Sequence, residues 1–521
     1  MLAKSLVAAL LGPFALACSA ATAEGNVCPA KACQVAVGVD GGGRCQYQPK
    51  ANGTGCDDDN SCSAYTTCQE GLCAGGTSLP DGSACDDGDV CTQTDTCQAG
   101  VCVGGNVMLC GAPGSCSTVG ECDPRRGCVQ ADVGPCSETL EPLTLGGCSI
   151  SAYTAPVRLG GVSFELLLDT GSSTTAVAAK GCSNCSSDVA PRYGAGGALD
   201  QKAAVDAGYN DGSGWYGTVF LDQAQAGRSG SAAGDKSPLR IASIYKEIDF
   251  FTGTNCLNRA DQANASGYQG IWGLGPDGAV RPGTDAFMTA LAKGGSLPFD
   301  AFALQLCELG GRMWLGGYDP AAGTGAVAFT PMLGAANGDA DHYAIAIEDL
   351  QLGGKSVGVS PYAYGPALVD SGTSATLLPE AAYRAIKNAL MANAQVRRLL
   401  DARVFDGDEA GERYSYPSPV AASPNAIDAA LPWLTLVVPR GGATQSHAIA
   451  LPPSQSYLTA WRRNLTGSVQ YLYSFTLLPS DVTIVGASLL KRHVVVFDRR
   501  GRRVGFVPQA PYCRADLPVS G

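Results

Sequence analysis

The chain contains the same short pattern twice: an apolar run that ends in Asp, followed by Thr or Ser and then Gly. The first copy is FELLLDTGSSTT (164–175), with Asp169, and the second is GPALVDSGTSATLLPE (365–380), with Asp370. A buried, ionised carboxylate is costly unless partners hold it. One copy could arise by chance in a Gly-rich chain. Two copies, each ending an apolar strand, predict two related β lobes that bring their carboxylates to one shared site.

The residue types in both copies suit a pair of carboxylates that holds one water molecule. Two carboxyls that lie close together cannot both ionise, so they share one proton and titrate with two separated pKa values. The ionised Asp could then take a proton from the water as it attacks a peptide carbonyl, while the protonated Asp donates to the developing oxyanion. Asp169 and Asp370 are therefore the candidate catalytic residues.

Six residues flank the two carboxylates in matching positions: Thr170, Gly171, Ser172, Ser371, Gly372 and Thr373. The two glycines would let the loop backbones meet where a Cβ would clash. The first hydroxyl of each loop could tie it to the opposite loop. The second hydroxyl could donate a hydrogen bond to its carboxylate and fix the orientation of that group.

Length and composition limit the architecture. A chain of 521 residues is too long for one ordinary domain, so we expect two or three compact units. Hydrophobic residues make up 45% and charged residues 16%, and with 68 glycines this favours a turn-rich all-β body. The net charge of −12 argues against nucleic acid or an anionic membrane surface as the main partner.

Residues 1–24 read as a secretory signal peptide, with one Lys, an apolar run and then small residues. A membrane-spanning helix needs roughly 20 apolar residues, and we expect no membrane span in the chain. Cleavage before Cys18 would resemble a bacterial lipoprotein signal and would leave a lipid anchor at Cys18. Ordinary cleavage after SAATA is the alternative. Both predict a protein that is secreted or held at the cell surface.

Residues 25–136 are rich in cysteine and contain sixteen of the 23 cysteines of the chain. Two segments in this region, 56–76 and 85–105, match with every Cys offset by 29 residues. A segment with so little core is expected to be stapled by disulfides, about eight if all pair. It resembles cysteine-rich repeats at the surface of some bacteria. A linker, 137–147, is predicted to follow it.

The repeats also contain acidic turns: Asp57, Asp58, Asp59, Asp86, Asp87 and Asp89. Calcium binding is one interpretation of such a pattern. Two copies of an Asp-rich turn are more often solvated loops, so we expect no metal here. The three histidines of the chain are widely spaced, which argues against a zinc peptidase.

The region from 143 to 513 resembles the pepsin-like aspartic proteases, nearer to the nepenthesin and β-secretase branches than to pepsin. The resemblance rests on the two Asp motifs and on three other segments: GYNDGSGWYG (208–217), QGIWGLGPDG (269–278) and VTIVGASLLKRHVVVFDRRGRRVGFVP (482–508). It implies a bilobal all-β fold with a cleft between the lobes, an extended polypeptide as substrate, no cofactor, and a monomer. We predict an N-lobe at 148–335, a C-lobe at 336–513 and a tail at 514–521.

The resemblance also implies roles for other residues. GYNDGSGWYG would be a flap hairpin over the cleft, with Tyr209, Gly212 and Ser213 as flap and substrate-binding residues. Pepsin-type members place a Trp seven residues after the first Asp, where this chain has Ala176. The flap Tyr must then be held differently, and Trp215 is a candidate.

Six cysteines fall in the protease region. Cys182 and Cys185 are predicted to pair locally within a CSNC loop. The nepenthesin branch implies a second pair, Cys256–Cys307, and a third pair, Cys148–Cys513, would then join the first and last strands.

An inactive protein with the same fold is the alternative to an enzyme. Plant xylanase inhibitors share the pepsin fold without proteolysis, so the fold alone does not decide activity. A surface binding or adhesion protein is a related possibility because of the cysteine-rich repeats. Both Asp residues, both glycines and all four flanking hydroxyls are present here, which favours the endopeptidase.

Overall fold

The computed structural model describes residues 28–29, 31–40, 44–58, 60–98, 100–107, 116, 120–123, 127–130, 134–149, 152–228, 233–251, 267–334, 341–405, 420–441, 446–465, 468–510 and 513. The predicted signal peptide with Cys18, and the predicted tail at 514–521, lie outside these residues. The chain forms two compact units: Met1–Met108 with Cys122–Gly127, and Leu109–Glu121 with Cys128–Gly521. No helix in the described ranges is long and apolar enough to cross a membrane.

Short strands build the first unit: β1 (Gln34–Val39), β2 (Cys45–Pro49), β3 (Ser63–Ala64), β4 (Thr67–Gln69), β5 (Leu72–Ala74), β6 (Thr77–Ser78), β7 (Ala84–Cys85), β8 (Thr92–Gln98) and β9 (Val101–Val107). Two further strands, β10 (Gly120–Asp123) and β11 (Gly127–Gln130), form a separate hairpin.

The disulfides of this first unit form a regular ladder. Three bonds span 17 residues each: Cys28–Cys45, Cys56–Cys73 and Cys85–Cys102. Two bonds span 35 residues each: Cys33–Cys68 and Cys62–Cys97. Because the repeat length is 29 residues, the shorter bonds close a repeat on itself and the longer bonds join it to the next one. The predicted stapling by disulfides is confirmed for these ten cysteines.

The second unit begins with the predicted N-lobe. Its strands are β12 (Leu143–Cys148), β13 (Tyr153–Leu159), β14 (Val162–Asp169), β15 (Thr175–Ala178), β16 (Leu199–Gly208), β17 (Gly214–Ala226), β18 (Ala233–Ile248), β19 (Gly270–Gly273), β20 (Ala301–Leu306), β21 (Leu309–Leu315) and β22 (Ala328–Pro331). One helix, α1 (Phe287–Lys293), lies in the segment DAFMTALAKG (285–294), for which the sequence predicts a short helix, and it buries Phe287, Met288 and Leu291.

The predicted C-lobe follows. Its strands are β23 (Ala344–Ile345), β24 (Asp349–Leu352), β25 (Lys355–Ser356), β26 (Ala367–Asp370), β27 (Thr376–Leu378), β28 (Leu434–Pro439), β29 (Ser446–Leu451), β30 (Leu458–Leu465), β31 (Ser468–Phe475), β32 (Leu477–Pro479), β33 (Thr483–Gly486), β34 (His493–Asp498) and β35 (Arg503–Pro508). Its helices are α2 (Pro361–Tyr364), α3 (Glu380–Ala392), α4 (Ala394–Leu399), α5 (Pro424–Ala430) and α6 (Ala487–Leu490).

Sheets from the two halves meet in one continuous structure. A 13-stranded sheet has the order β16-β17-β18-β15-β19-β14-β13-β12-β21-β20-β34-β35-β22. The last two strands of the chain, β34 and β35, thus lie between the N-lobe strands β20 and β22. The C-lobe also contains a five-stranded sheet, β23-β26-β33-β27-β32, a four-stranded sheet, β25-β24-β28-β29, and the two-stranded sheet β30-β31. This mostly-β architecture confirms the predicted all-β, pepsin-like bilobal fold.

Aromatic packing joins the two halves. The rings of Phe302 and Phe497 stack with centroids 4.6 Å apart, and the ring of Tyr343 lies 4.8 Å from that of Phe497. All three side chains are fully buried. Burial of such rings contributes strongly to stability, and contacts between them add about 0.5–1.5 kcal/mol each. The position of one lobe against the other is thus fixed by a shared core.

The sequence PEAAYRAIKNALMANAQVRRLL (379–400), with Pro379 at its start, predicts one helix, but the structure divides it into two. Helix α3 buries Ala382, Tyr383 and Ile386 at helical spacing, and it ends before Asn393. The Asn393 side chain accepts hydrogen bonds from the first backbone N–H groups of α4, which is the capping role that Asn favours. Helical structure is thus present through most of the segment, but the Asn393 side chain caps a new helix and divides it into two.

The predicted linker at 137–147 is wrong in its second half. Residues 143–147 belong to β12, which pairs with β21 and β13 inside the large sheet. The second unit also extends upstream of the predicted boundary at 136, because Cys136 is bonded to Cys116 and packs against the sheet with Leu140. The segment read as a spacer is therefore part of the protease unit.

The structure corrects two of the three disulfides predicted for the protease region. Cys182–Cys185 is present. Cys307 is bonded to Cys513, so the predicted pairs Cys256–Cys307 and Cys148–Cys513 are both wrong. The sheet order explains this, since β20 ends at residue 306 and pairs directly with β34, which in turn pairs with β35, whereas β21 and β20 separate β12 from those last strands. Cys148 is disulfide-bonded, and Cys256 lies outside the described residues.

Candidate active site

Equivalent strands in the two lobes carry Asp169 and Asp370. In the N-lobe, β14 ends at Asp169 and runs parallel to β19, with Asp169 opposite Gly273. In the C-lobe, β26 ends at Asp370 and runs parallel to β33, with Asp370 opposite Gly486. In each lobe the strand after the loop, β15 or β27, is antiparallel to the same partner strand. The two loops are therefore related by an approximate twofold symmetry.

Each loop glycine faces the carboxylate of the opposite lobe. A Cβ atom added to Gly171 would lie 2.8 Å from Cγ of Asp370, and one added to Gly372 would lie 2.4 Å from Oδ1 of Asp169. Both distances are too short for any side chain to be tolerated without movement. The two carboxylates thus approach each other across the axis, in the arrangement for which glycine was predicted.

Hydroxyl groups lock the two loops together beneath the carboxylates. Thr170 donates from Oγ1 to the carbonyl of Val369 at 2.8 Å, and Ser371 donates from Oγ to the carbonyl of Leu168 at 2.7 Å. Each hydroxyl also accepts the backbone N–H of the other residue, at 2.9 Å for Ser371 N and 3.2 Å for Thr170 N. These four reciprocal bonds are buried and fix the separation of the loops.

Each carboxylate is also held by its own loop. Asp169 accepts the backbone N–H of Gly171 at 2.8 Å and the hydroxyl of Ser172. Asp370 accepts the backbone N–H of Gly372 at 2.8 Å and the hydroxyl of Thr373 at 2.5 Å. The structure thus brings all six predicted supporting residues to the two carboxylates, in symmetric pairs.

Electrostatics favour a shared proton at this site. Asp169 is 5% exposed and Asp370 is 7% exposed. Burial, followed by the neighbouring charge of Asp370, raises the pKa of Asp169 well above its ordinary value, although the hydrogen bond from Ser172 opposes the rise. A buried pair of carboxyls cannot hold two negative charges at close range. The arrangement is therefore suited to one ionised and one protonated acid.

The predicted flap is a β-hairpin between β16 and β17. The Tyr209 N–H donates to the Ser213 carbonyl at 2.9 Å, and the Gly212 N–H donates to the Tyr209 carbonyl at 3.0 Å. The φ angle of Gly212 is +83°, a conformation that suits glycine in a tight turn. Burial, with a smaller effect of the Asp169 charge, raises the pKa of the Tyr209 phenol.

Trp215 holds the flap Tyr in place. Its Nε1 atom donates to the Tyr209 hydroxyl at 3.0 Å, and its side chain is buried. Ala176 lies in the same hydrophobic cluster, where its small side chain leaves the anchoring function to Trp215. This hydrogen bond makes Trp215, the candidate named from the sequence, a direct partner of Tyr209.

Sequence reasoning missed two aromatic neighbours of Tyr209. Phe250 stacks on the Tyr209 ring with centroids 5.6 Å apart, and Tyr268 contacts Phe250 edge-on at 5.8 Å. The Tyr268 hydroxyl donates to the Phe250 carbonyl at 2.6 Å. In the sequence, Phe250 belongs to an FF pair that precedes a polar stretch. This pattern does not indicate contact with Tyr209, which lies 41 residues upstream.

Metal-binding geometry is found only in the cysteine-rich repeats, as far as the described residues extend. Three groups could hold an ion: Cys33 with Cys56 and Cys73, Cys62 with Cys85 and Cys97, and Asp86 with Asp87 and Asp95. The cysteines of the first two groups are all in disulfides. Three residues of the acidic turns, Asp86, Asp87 and Asp89, accept backbone N–H groups within their own turns.

Comparisons with known proteins agree with this geometry. A family model described as eukaryotic aspartyl protease matches residues 152–509. A β-secretase of Strongylocentrotus purpuratus is 29% identical over 374 residues, covering 66% of this chain and 63% of that protein. An aspartic protease of Phaffia rhodozyma is 26% identical over 239 residues, covering 46% of this chain and 53% of that protein. The chain thus matches less than two thirds of the length of these relatives.

Paired strand-end carboxylates with interlocked Gly-containing loops define the class of pepsin-like aspartic proteases. The family model covers more than half of the chain. The protein belongs to the aspartyl protease family.

Proposed function

We propose that the protein is an aspartic endopeptidase that hydrolyses peptide bonds with Asp169 and Asp370 as its catalytic pair. The observation that carries the proposal is the mutual approach of the two carboxylates, each lying against the loop glycine of the opposite lobe. The intact hydroxyl set supports an active enzyme over an inactive homologue, since a binding protein has no need for two carboxylates kept close together.

The proposed reaction uses no cofactor. A water molecule between the carboxyls loses a proton to the ionised Asp as its oxygen attacks the peptide carbonyl, and the protonated Asp donates to the carbonyl oxygen. As the C–N bond of the tetrahedral intermediate breaks, the Asp that took the proton from water donates it to the leaving amine, and a hydroxyl of the intermediate returns a proton to the other Asp. The buried hydrogen bonds around the carboxylates keep them oriented in a low-dielectric site, where such interactions are strongest.

An extended polypeptide is the proposed substrate, with apolar side chains beside the cleaved bond. Aromatic rings support this choice, since Tyr209 and Phe250 form an apolar wall close to Asp169. We also propose that the protein is exported as a monomer, with residues 1–24 as its signal. The disulfide ladder supports export, because such bonds persist in oxidising compartments.

Cleavage of a denatured protein at pH values from about 3 to 6, with and without pepstatin, tests the proposal. The purified protein should cleave at acidic pH, and pepstatin should inhibit it. Asp169→Asn and Asp370→Asn should each lower kcat by about 10²–10⁴-fold. Asp188→Asn, at an exposed position in the same lobe, is the matched control and should retain activity. Folded wild-type protein with no cleavage at any pH would instead favour an inactive binding protein.

A further inference from the structure

Arg281 connects the flap to the loop that carries Asp169. Its backbone N–H donates to Oγ1 of Thr174 at 2.8 Å, and Thr174 lies five residues after Asp169. The guanidinium Nε donates to the backbone carbonyl of Asp206 at 2.6 Å, and Asp206 lies three residues before Tyr209. One residue therefore contacts both the base of the flap and the catalytic loop.

We propose that Arg281 is a positioning residue that fixes the flap strand β16, and with it Tyr209, over the carboxylate pair. This inference rests on the proposed function for its effect on catalysis. Its effect on the flap itself can be measured without activity.

The catalytic-loop side of this connection is rigid. Thr174 is 3% exposed, and its hydroxyl lies 3.1 Å from that of Thr284. Thr284 in turn donates from its hydroxyl to the Arg281 carbonyl at 2.8 Å. The Arg281 backbone is thus enclosed in a small ring of hydrogen bonds, which gives its side chain a fixed origin.

On the flap side, the backbone of β16 has only one neighbouring strand in the described sheet. Strand β16 is the edge of the 13-stranded sheet and pairs only with β17. Carbonyl groups on the outer side of an edge strand lack a neighbouring strand. Arg281 takes up one of these groups, at Asp206, with a charge-assisted hydrogen bond. The Asp206 carboxylate lies 3.5 Å from Nη2 and is largely exposed, so it contributes little.

The function of such a tie follows from the position of Tyr209. The tip of the hairpin must lie over the carboxylates when a substrate is bound, and a loose edge strand would spend time in other positions. Trp215 fixes the Tyr209 ring within the flap, but Trp215 is itself part of β17 and moves with the hairpin. Arg281 is attached to the catalytic loop, so it can hold the hairpin in place.

Three variants test the inference. Arg281→Met keeps the apolar stem and removes the donors, whereas Arg281→Lys restores a charged donor. Arg240→Ala is the matched control, because Arg240 forms an ion pair of similar exposure with Asp285 and does not contact the flap in the described structure. Amide hydrogen exchange across 204–217, measured by mass spectrometry, reports flap opening. Peptide hydrolysis gives kcat and KM.

Arg281→Met should exchange faster across 204–217 than wild type, with unchanged exchange across 493–508 and an unchanged melting temperature. Its kcat/KM should fall about fivefold, which corresponds to about 1 kcal/mol, and Arg281→Lys should recover part of the loss. Equal exchange in Arg281→Met and wild type would overturn the inference whatever the activity. If wild type cleaves no peptide and Arg281→Met still exchanges faster across 204–217 than wild type, the positioning role of Arg281 is supported and the proposed function is refuted.

Discussion

His493 gives a quantitative prediction about acid stability. It lies in β34 with 4% exposure, packed edge-on against Phe506, and its Nδ1 atom has no hydrogen-bond partner among the described residues. Gln509 contacts only its backbone carbonyl, at 3.3 Å. Burial, with a smaller effect of the neighbouring Arg492 charge, lowers the pKa of His493 from 6.5 to about 4.

The sign of the effect follows from this lowered pKa. The unfolded chain binds a proton at His493 below about pH 6.5, whereas the folded protein does so only below about pH 4. The contribution of neutral His493 to the free energy of unfolding is therefore fully present above pH 6.5, and it is lost as the pH falls towards 4. A pKa difference of one unit is worth about 1.36 kcal/mol, so the difference between the unfolded and folded pKa values of His493 lowers the free energy of unfolding by about 3 kcal/mol. That is a large part of the 5–15 kcal/mol typical of a folded protein.

Urea unfolding of wild type and His493→Leu at pH 7 and pH 3.5 measures this effect. Wild type should lose about 3 kcal/mol more than the variant between the two pH values, since Leu cannot bind a proton. Val495→Ala, a cavity in the same strand, is the control: it should lower stability equally at both pH values and keep the wild-type pH dependence. If His493→Leu and wild type lose the same stability on acidification, the buried neutral imidazole is refuted.

Three further predictions concern other buried contacts. Glu308→Gln should lower the free energy of unfolding by about 3–5 kcal/mol in urea titrations, because Lys491 is almost fully buried and pairs with Glu308 at 2.9 Å; replacing both residues by Leu and Met should restore most of the loss. Gly171→Ala should abolish peptide cleavage while the protein remains folded by circular dichroism, because the new methyl group would displace the opposite carboxylate. Trp215→Phe removes the donor to Tyr209 and should raise KM several-fold in peptide hydrolysis, with little change in melting temperature.

Features that depend on local chemistry were predicted well from the sequence. The strands before Asp169 and Asp370 are short apolar runs, and a carboxylate followed by Gly can serve only a few purposes at a strand end. The turn at Gly212 follows from its Asp-Gly dipeptide. Trp215 became a candidate through the resemblance to pepsin-type members, which place a Trp where this chain has Ala176.

Features that depend on the order of strands in space were predicted poorly. Phe250 contacts Tyr209 because β17 and β18 pair along their length, and no local pattern encodes that register. The second half of the predicted linker, 143–147, has the composition of a loop and becomes a strand only because β21 offers it hydrogen bonds. Backbone propensity is weak in such segments, so the tertiary partner decides.

The observed Cys307–Cys513 bond, which replaces the incorrect predictions, joins the N-lobe strand β20 to the segment after the last strand, β35. Strand β34, one of the last two strands, pairs with β20 of the N-lobe, and β35 pairs with the other side of β34. The Cys307–Cys513 bond fastens the segment after β35 to the end of β20. That bond closes a loop of 206 residues, which contains Asp370 and the rest of the predicted C-lobe. Long closed loops restrict the unfolded chain most, so this bond stabilises the lobe arrangement that keeps the two carboxylates together.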